Sequence, residues 1–185
     1  SGLNALPLDA AVLAHSRIAD LRISGADGKQ IPYLVEKEDE PLSLDLPPLE
    51  KTQAPRSAAF STRNGIDTRS YYRLRLPYAD LPAARLILTT SARVFHRQLS
   101  VRTENDPRND RQEAWTESIA AAMWSHADPE TAAPGLTLRI PSLKATEVMV
   151  VVEEGDNSPL PITSAKLLLP AHRLRFFRPS SSDLK

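Results

Sequence analysis

The sequence predicts an all-β protein built as an antiparallel β-sandwich, and three observations support this. Val148–Val152 is a short apolar run of four valines and one methionine, which is typical of a strand buried on both faces. From Arg69 onward, apolar and polar residues alternate with a period of two in segments separated by turn residues. Sixteen prolines against six glycines, spread through the chain, disfavour long helices and favour short strands.

The first part of the chain predicts a helical turn followed by a hairpin. Leu8–His15 has apolar residues at helical spacing, whereas Ile18–Ser24 alternates between apolar and polar residues as a strand does. Gly25–Gly28 is a hairpin-turn sequence, so Gln30–Val35 is expected to be the return strand. Because proline has no N–H to donate, Pro32 places this return strand at the edge of a sheet.

The segment 36–67 carries several prolines and small polar residues, which predict an extended course with one strand at Leu42–Leu46. A boundary is expected within residues 50–67. The predicted organisation is therefore a hairpin and Pro-rich segment over 1–67, packed on a β-sandwich domain over 68–179. The polar, serine-rich residues 180–185 are expected to begin a linker, as in a fragment of a longer protein.

Seven segments of the main domain have the alternation or the apolar run of a strand. They are Arg69–Leu76, Arg85–Thr90, Val94–Thr103, Leu136–Ile140, Thr146–Glu153, Ile162–Leu169 and Arg173–Phe177. In the third of these, Phe95 and Arg97 fall on the apolar face, so His96 is expected to face solvent. Between the fifth and the sixth, Asp156 and Asn157 are expected to build a turn by bonding to their own backbone.

The stretch Glu113–Ser125 is ambiguous between helix and strand. Its apolar residues lie at helical spacing, and its three consecutive alanines favour a helix. Read as an extended segment, Trp115, Ile119 and Met123 also share one face. Propensity alone favours the helix.

Charge and cysteine content exclude several classes of function. The 23 basic and 23 acidic residues cancel, so the chain has neither the basic footprint of a nucleic-acid-binding domain nor a polybasic membrane patch. The absence of cysteine excludes disulfides, thiolate zinc sites and a cysteine nucleophile. No apolar run of about 18 residues occurs, so this fragment is not expected to insert into a membrane.

Two short motifs resemble a known family. They are Gly155–Ile162 (GDNSPLPI) and Leu99–Asp106 (LSVRTEND), the second followed by a loop and Trp115. With Asp20–Arg22 and Gly28–Tyr33, they resemble an uncharacterised family of bacterial envelope proteins that carry galactose-binding-like jelly rolls ahead of a membrane anchor.

The resemblance covers 19–179 and implies a jelly-roll fold and a location in the periplasm or cell envelope. It also implies that Trp115–Trp124 is a strand. The chain departs from the family pattern in Glu36–Asp67 and in Pro107–Gln112. No residue with a catalytic role in the family maps onto this sequence.

The sequence contains one candidate metal-binding loop and no catalytic motif. His15, His96, His126 and His172 are far apart and form no His-x-x-x-His pair, and neither a Gly-x-Ser-x-Gly motif nor a phosphate loop occurs. The oxygen-rich loop after Val94–Thr103 is either a solvated turn or a calcium site. The calcium ligands would be Glu104, Asp106 and Asp110.

Trp115 is expected in the core, and Trp124, which precedes a loop, is expected to be exposed. The arginines of Arg69–Leu76 and of Arg173–Phe177 predict either a solvated sheet face or a docking surface for another domain of the same protein.

These observations predict a non-catalytic binding or interaction module of a bacterial envelope protein, with no cofactor. The expected partner is a glycan or another domain. A glycan would lie in loops at one end of the sandwich, against Glu104, Asp106, Arg111, Trp124 and His126. A structural spacer without a ligand is the alternative, and an accessory domain of a glycan-active enzyme is the third interpretation.

Overall fold

The structure is a computed structural model, and it describes residues 2–54, 68–105 and 115–178. Strands account for 56% of it and helices for 6%, so the predicted all-β class is confirmed. Every strand pairing among the described residues is antiparallel.

Fourteen strands and one short α-helix occur in the described part of the chain. The strands are β1 (Gly2–Pro7), β2 (Ile23–Ser24), β3 (Gln30–Ile31), β4 (Tyr33–Lys37), β5 (Leu42–Asp45), β6 (Glu50–Thr52), β7 (Arg69–Arg75), β8 (Ala84–Thr90), β9 (Phe95–Asn105), β10 (Trp115–His126), β11 (Leu136–Ile140), β12 (Glu147–Glu153), β13 (Ile162–Leu169) and β14 (His172–Arg178). The helix α1 spans Ala10–His15 and agrees with the predicted helical turn. None of the helical segments described is long or apolar enough to span a membrane.

Two larger sheets enclose the core. The five-stranded sheet has the order β10-β9-β12-β7-β6, and the four-stranded sheet has the order β11-β8-β13-β5. Alternate residues of each sheet point inward, and they belong to one continuous cluster of buried side chains. Leu99 and Val150 from the first sheet and Leu86 and Leu167 from the second are essentially inaccessible to solvent. The inward-facing residues of the period-two pattern therefore form the core of the sandwich, as the sequence predicts.

The valine-rich strand β12 occupies the centre of the five-stranded sheet. It pairs with β7 on one side and with β9 on the other. Val148, Val150 and Val152 point into the core, whereas Val151 points to the opposite face beside its partner Tyr71. Val151 is buried as well, so the predicted burial of both faces is confirmed.

The N-terminal part of the chain supplies strands to four different sheets, one of which is the two-stranded pair β2-β3. The strands β1 and β4 flank β14 in a three-stranded sheet of order β1-β14-β4. Farther along, β5 pairs with β13 and β6 pairs with β7. The predicted strand at Leu42–Leu46 is thus confirmed as β5, while the division of the chain at residue 67 stays a prediction.

The predicted strand at Ile18–Ser24 is wrong over most of its length. Ile18–Asp20 is a 3₁₀ turn, in which the N–H groups of Asp20 and Leu21 donate to the carbonyls three residues before them. Only Ile23–Ser24 pairs, with β3. Short-range hydrogen bonds take the backbone groups that a strand would present to a neighbour, so the alternating pattern does not form a ladder here.

The predicted hairpin turn at Gly25–Gly28 is confirmed. The N–H of Gly28 donates to the carbonyl of Gly25 at 2.9 Å, and Gly28 has a φ of 76°, which glycine adopts without strain. Pro32 divides the expected return strand into β3 and β4 because it cannot donate to a ladder. The strand β4 lies at the edge of its sheet, as predicted.

Tertiary pairing decides the ambiguous stretch Glu113–Ser125. From Trp115 onward it is the strand β10, which pairs with β9 along its whole length. A β-bulge between Ser118 and Ala120 shifts the register. A long antiparallel ladder outweighs the helix propensity of three alanines, so the strand that the resemblance implied is confirmed.

We expect Leu99→Ala to lower the free energy of unfolding by about 2–5 kcal/mol, because it removes a fully buried side chain between the sheets. Met123→Ala on the adjacent strand is the matched control. The Met123 side chain is 53% exposed, so its truncation should change stability by no more than about 0.5 kcal/mol. Urea denaturation measures both, and equal losses would contradict the inward orientation of Leu99.

Candidate functional site

The expected exposure of Trp124 is wrong. Its side chain is 3% exposed and packs edge-on against Phe95, with ring centroids 5.3 Å apart. The indole N–H donates to the carbonyl of Pro134 at 3.0 Å. This hydrogen bond satisfies the polar group of a buried tryptophan, so the side chain fills the core at the end of β10 and presents no ring face to a ligand.

His126 is anchored in the loops next to Trp124. Its Nδ1 hydrogen-bonds to the carbonyl of Arg93, and its Nε2 lies 3.3 Å from Oγ1 of Thr131. Both ring nitrogens are therefore engaged by the protein. The side chain is half-buried and links the end of β10 to the segment before β9.

Asp128 organises the loop after β10. Its carboxylate accepts hydrogen bonds of 2.8 Å from the N–H of Glu130 and from the hydroxyl of Thr131. These two bonds, the backbone one above all, hold the pKa of Asp128 below its usual range. The group is fully exposed, so the effect is a local one on the turn.

The structure separates the residues of the predicted glycan site. Glu104 is paired with Thr116 near one end of the β9–β10 ladder, and Phe95 is paired with His126 at the other end. Nine residues of extended chain place these ends about 30 Å apart. Glu104 and His126 therefore lie at opposite ends of this ladder, and the glycan site stays a prediction.

The remaining members of that site lie outside the described residues. These are Asp106 and Arg111, and the calcium candidate Asp110 and the side chains of Glu104 and Trp115 also fall outside the description. The calcium site at this loop and the core position of Trp115 stay predictions. Among the residues that are described, no cluster of three metal-ligating side chains occurs.

The described interior contains a buried ion pair that sequence reasoning missed. Arg97 on β9 and Glu154 after β12 are both buried, and Arg97 Nε donates to Glu154 Oε2 at 2.9 Å. The other carboxylate oxygen of Glu154 accepts from the N–H of Leu160 at 3.0 Å. Both oxygens are thus taken by the protein, which favours a structural role for this carboxylate.

Glu154 also contributes to the turn that follows, in which the Asn157 side chain bonds to the backbone as predicted. The Glu154 carbonyl accepts from the N–H of Asn157 at 3.2 Å and from the side-chain amide of Asn157 at 3.0 Å. Gly155 follows with a φ of 58°, a left-handed conformation that favours glycine. The sequence does contain a signal for this ion pair. Arg97 lies on the same inward-facing side of its strand as Phe95, and a buried charge requires a partner.

The outer face of the three-stranded sheet carries large apolar side chains in contact with solvent. Leu3 on β1 and Phe177 on β14 are direct cross-strand partners and are 67% and 61% exposed. Leu34 on β4 is 69% exposed and lies diagonally across from Phe177. Ala5 adjoins them, and we call these four residues the apolar face.

Paired charges adjoin the apolar face: Arg173 and Glu36 border it, whereas Arg175 lies within it, directly between Ala5 and Leu34. Arg173 lies 2.8 Å from Glu36 and 3.0 Å from Glu38, and Arg175 lies 3.1 Å from Glu36. The hydrogen bond to Glu36 and the charge of Glu38 raise the pKa of Arg173 above its ordinary value. Two cations and two anions cancel, so the border has no net charge.

The arginines of β7 lie on the outer face of the five-stranded sheet. Arg73 and Arg75 lie 3.5 and 3.6 Å from Glu147, their cross-strand neighbour. Arg69 stacks over the ring of Tyr71, with its guanidinium carbon 5.6 Å from the ring centroid. These contacts agree with the simpler of the two predictions, a solvated sheet face.

Comparisons with protein-family models, with curated proteins and with solved structures give no significant match. The family resemblance noted in the sequence is therefore neither supported nor opposed by them. A function is therefore proposed below from the exposed faces of the described sheets.

We expect Arg97→Met and Glu154→Leu each to cost about 3–5 kcal/mol of stability, because each leaves an unpaired charge in the interior. The double variant should cost less than the sum by about 1–3 kcal/mol. Urea denaturation of the four proteins gives the coupling energy. The control is the exposed Lys166–Asp45 ion pair, in which Nζ and Oδ1 are 3.1 Å apart. Lys166→Ala should lower the free energy of unfolding by less than about 1 kcal/mol. Strictly additive losses at Arg97 and Glu154 would show that the pair is not coupled.

The Asp128 turn predicts a pH dependence whose sign follows from its lowered pKa. Its ionised form stabilises the turn above the ordinary aspartate pKa of about 3.9, and this contribution is lost as the pH falls through the lower folded value. A carbon-13 NMR titration should place the Asp128 pKa below the ordinary aspartate value of about 3.9. Thr131→Val should raise it part of the way, since the Glu130 N–H remains, whereas Thr137→Val should leave it unchanged. An Asp128 pKa insensitive to Thr131→Val would contradict the assigned hydrogen bond.

Proposed function

We propose that this chain is a non-catalytic interaction module that binds another folded protein domain through the apolar face. The observation that carries the proposal is the exposure of Leu3, Leu34 and Phe177 on one side of a three-stranded sheet. Single exposed apolar residues are common on soluble proteins, but a contiguous group on one face is typical of an interaction site.

The arrangement of the group fits the centre of a protein interface. Phe177 and Leu3 are paired across β14 and β1, and Leu34 adds a third large side chain from β4. Interface centres are rich in aromatic and aliphatic side chains and poor in charge, while charged residues lie at the rim. Arg173 and Glu36 occupy the position of such a rim, and the one charge between Ala5 and Leu34, Arg175, is neutralised by Glu36 at 3.1 Å.

The charges beside the apolar face favour a protein over an anionic membrane or an acidic polymer. A surface that binds anionic lipid needs cations without internal partners. Here Arg173 and Arg175 are already neutralised by Glu36 and Glu38. We therefore assign the face to a partner surface that is apolar at its centre and nearly neutral at its border.

The second candidate is a glycan-binding module, and Phe177 is the observation that favours it. This aromatic ring is 61% exposed and has the capacity to stack on a sugar. It lies on a sheet face with aliphatic neighbours, whereas sugar sites combine a stacking ring with converging polar groups. The protein-binding proposal explains Leu3 and Leu34 as well, so it comes first.

We further propose a jelly-roll arrangement of the sandwich and a location in the bacterial envelope. The support for both is the resemblance of Gly155–Ile162 and Leu99–Asp106 to the envelope family described above. In such a protein, the partner of the apolar face is expected to be another domain of the same polypeptide.

Site-specific photocrosslinking in the producing cells tests the proposal. A photoreactive phenylalanine at position 177 of the full-length protein should give one discrete adduct with a folded domain, identified by mass spectrometry. Leu34→Ser should weaken the contact about tenfold, because it removes roughly 1.5 kcal/mol of apolar burial.

The matched control is the same photoreactive residue at position 94. Val94 is 63% exposed but lies outside the apolar face, so it should give no adduct. Equal adducts from both positions, no adduct at position 177, or an adduct only with a second copy of the chain would overturn the assignment of the partner.

A further inference from the structure

We propose that Arg85 and Arg139 form a binding site for the oxyanion group of a small anionic ligand, a carboxylate or a phosphate. The site lies on the outer face of the four-stranded sheet, and it is independent of the apolar face and of its partner. Four observations support it: the register of the two arginines, their lack of acidic partners, the depression beside them, and the geometry of the guanidinium group.

Arg85 on β8 and Arg139 on β11 are direct cross-strand partners. Both side chains are exposed, while the neighbours Leu86, Leu138 and Ile140 point into the core. Side chains directly opposite each other in an antiparallel pair start about 5 Å apart, so the two guanidinium groups extend from the same spot on the sheet.

Within the described part of the chain, neither arginine is neutralised. Among the residues that the structure describes, neither Arg85 nor Arg139 has an ion pair or a side-chain hydrogen bond. Lys166 on the same face does have a partner, Asp45, at 3.1 Å. Like charges directly opposite each other destabilise a sheet, so the pair has a cost that a bound anion would remove.

A depression of about 370 Å³ adjoins the two arginines at the end of the sheet. Its wall is mainly apolar, with Pro41, Leu168 and Pro170 among its members. Lys37 adds a third cation. Two acids, Glu38 and Asp39, also line it, but Glu38 is held by Arg173 at 3.0 Å.

This composition defines the class of ligand. A guanidinium group offers planar, paired N–H donors that match a carboxylate or a phosphate, and two of them together bind such a group more specifically than a single lysine does. Pockets that bind small molecules combine a mostly apolar wall with a few polar groups. The ligand is therefore an oxyanion attached to a compact apolar or weakly polar body.

An NMR titration tests the site. Phenyl phosphate and benzoate are the two anionic probes, and benzyl alcohol is the neutral one, each added at constant ionic strength. The anions should shift the signals of the Arg85 and Arg139 side chains and of nearby amides, and benzyl alcohol should not. The anion that binds more tightly identifies the preferred group, phosphate or carboxylate. Binding should weaken in high salt, because exposed charges are screened.

Arg85→Gln and Arg139→Gln should each weaken binding about tenfold or more, and Arg85→Lys should weaken it less, because it keeps the charge but loses the paired donors. Arg17→Gln is the matched control: it removes an exposed arginine that also has no ion pair in the described chain, and it should leave binding unchanged.

Neither Arg85→Gln nor Arg139→Gln should lower the urea midpoint, since each removes a like-charge repulsion. Equal weakening by Arg17→Gln, equal shifts with benzyl alcohol, or no anion-dependent shift at either arginine would overturn the proposal.

Discussion

The buried ion pair between Arg97 and Glu154 stands where the two layers of the sandwich are joined. The strand β12 belongs to the five-stranded sheet and β13 to the four-stranded sheet, so the loop between them carries the chain from one layer to the other. Glu154 opens that loop and binds both Arg97 on β9 and the N–H of Leu160. Two buried charges are costly unless they neutralise each other, and this requirement fixes the distance between the loop and the sheet.

The layers themselves depend on local pattern, which explains why most strands are predictable. A side chain on a strand points inward or outward according to its position alone, so Val148–Val152 and Ile162–Leu169 reveal their structure from the sequence. The pattern fails at Ile18–Asp20, where hydrogen bonds within a few residues satisfy the backbone before any neighbour is reached. It is insufficient at Trp115–His126, where local propensity favours a helix and pairing with the partner strand makes the segment a strand.

The features of the candidate sites were harder to predict, because they depend on which strands are neighbours. Arg97 signals an interior charge, but its partner lies far along the chain and is identified only by the β9–β12 register, in which Gln98 faces Glu153. The same limit applies to Arg85 and Arg139, whose proximity comes from the pairing of β8 with β11. The burial of Trp124 is hard to predict for a related reason, since the Pro134 carbonyl that accepts its indole N–H comes from a later loop.

The bulge in β10 has a consequence for how the molecule behaves at high concentration. Within the described sheet, β10 is a long terminal strand with few charges, and such an edge is a ready template for a foreign chain. The extra residue between Ser118 and Ala120 offsets the backbone groups on either side of it, so an incoming strand meets a ladder that does not continue in step. A single inserted residue thereby opposes edge-to-edge polymerisation on a strand that carries one acidic residue, Glu117.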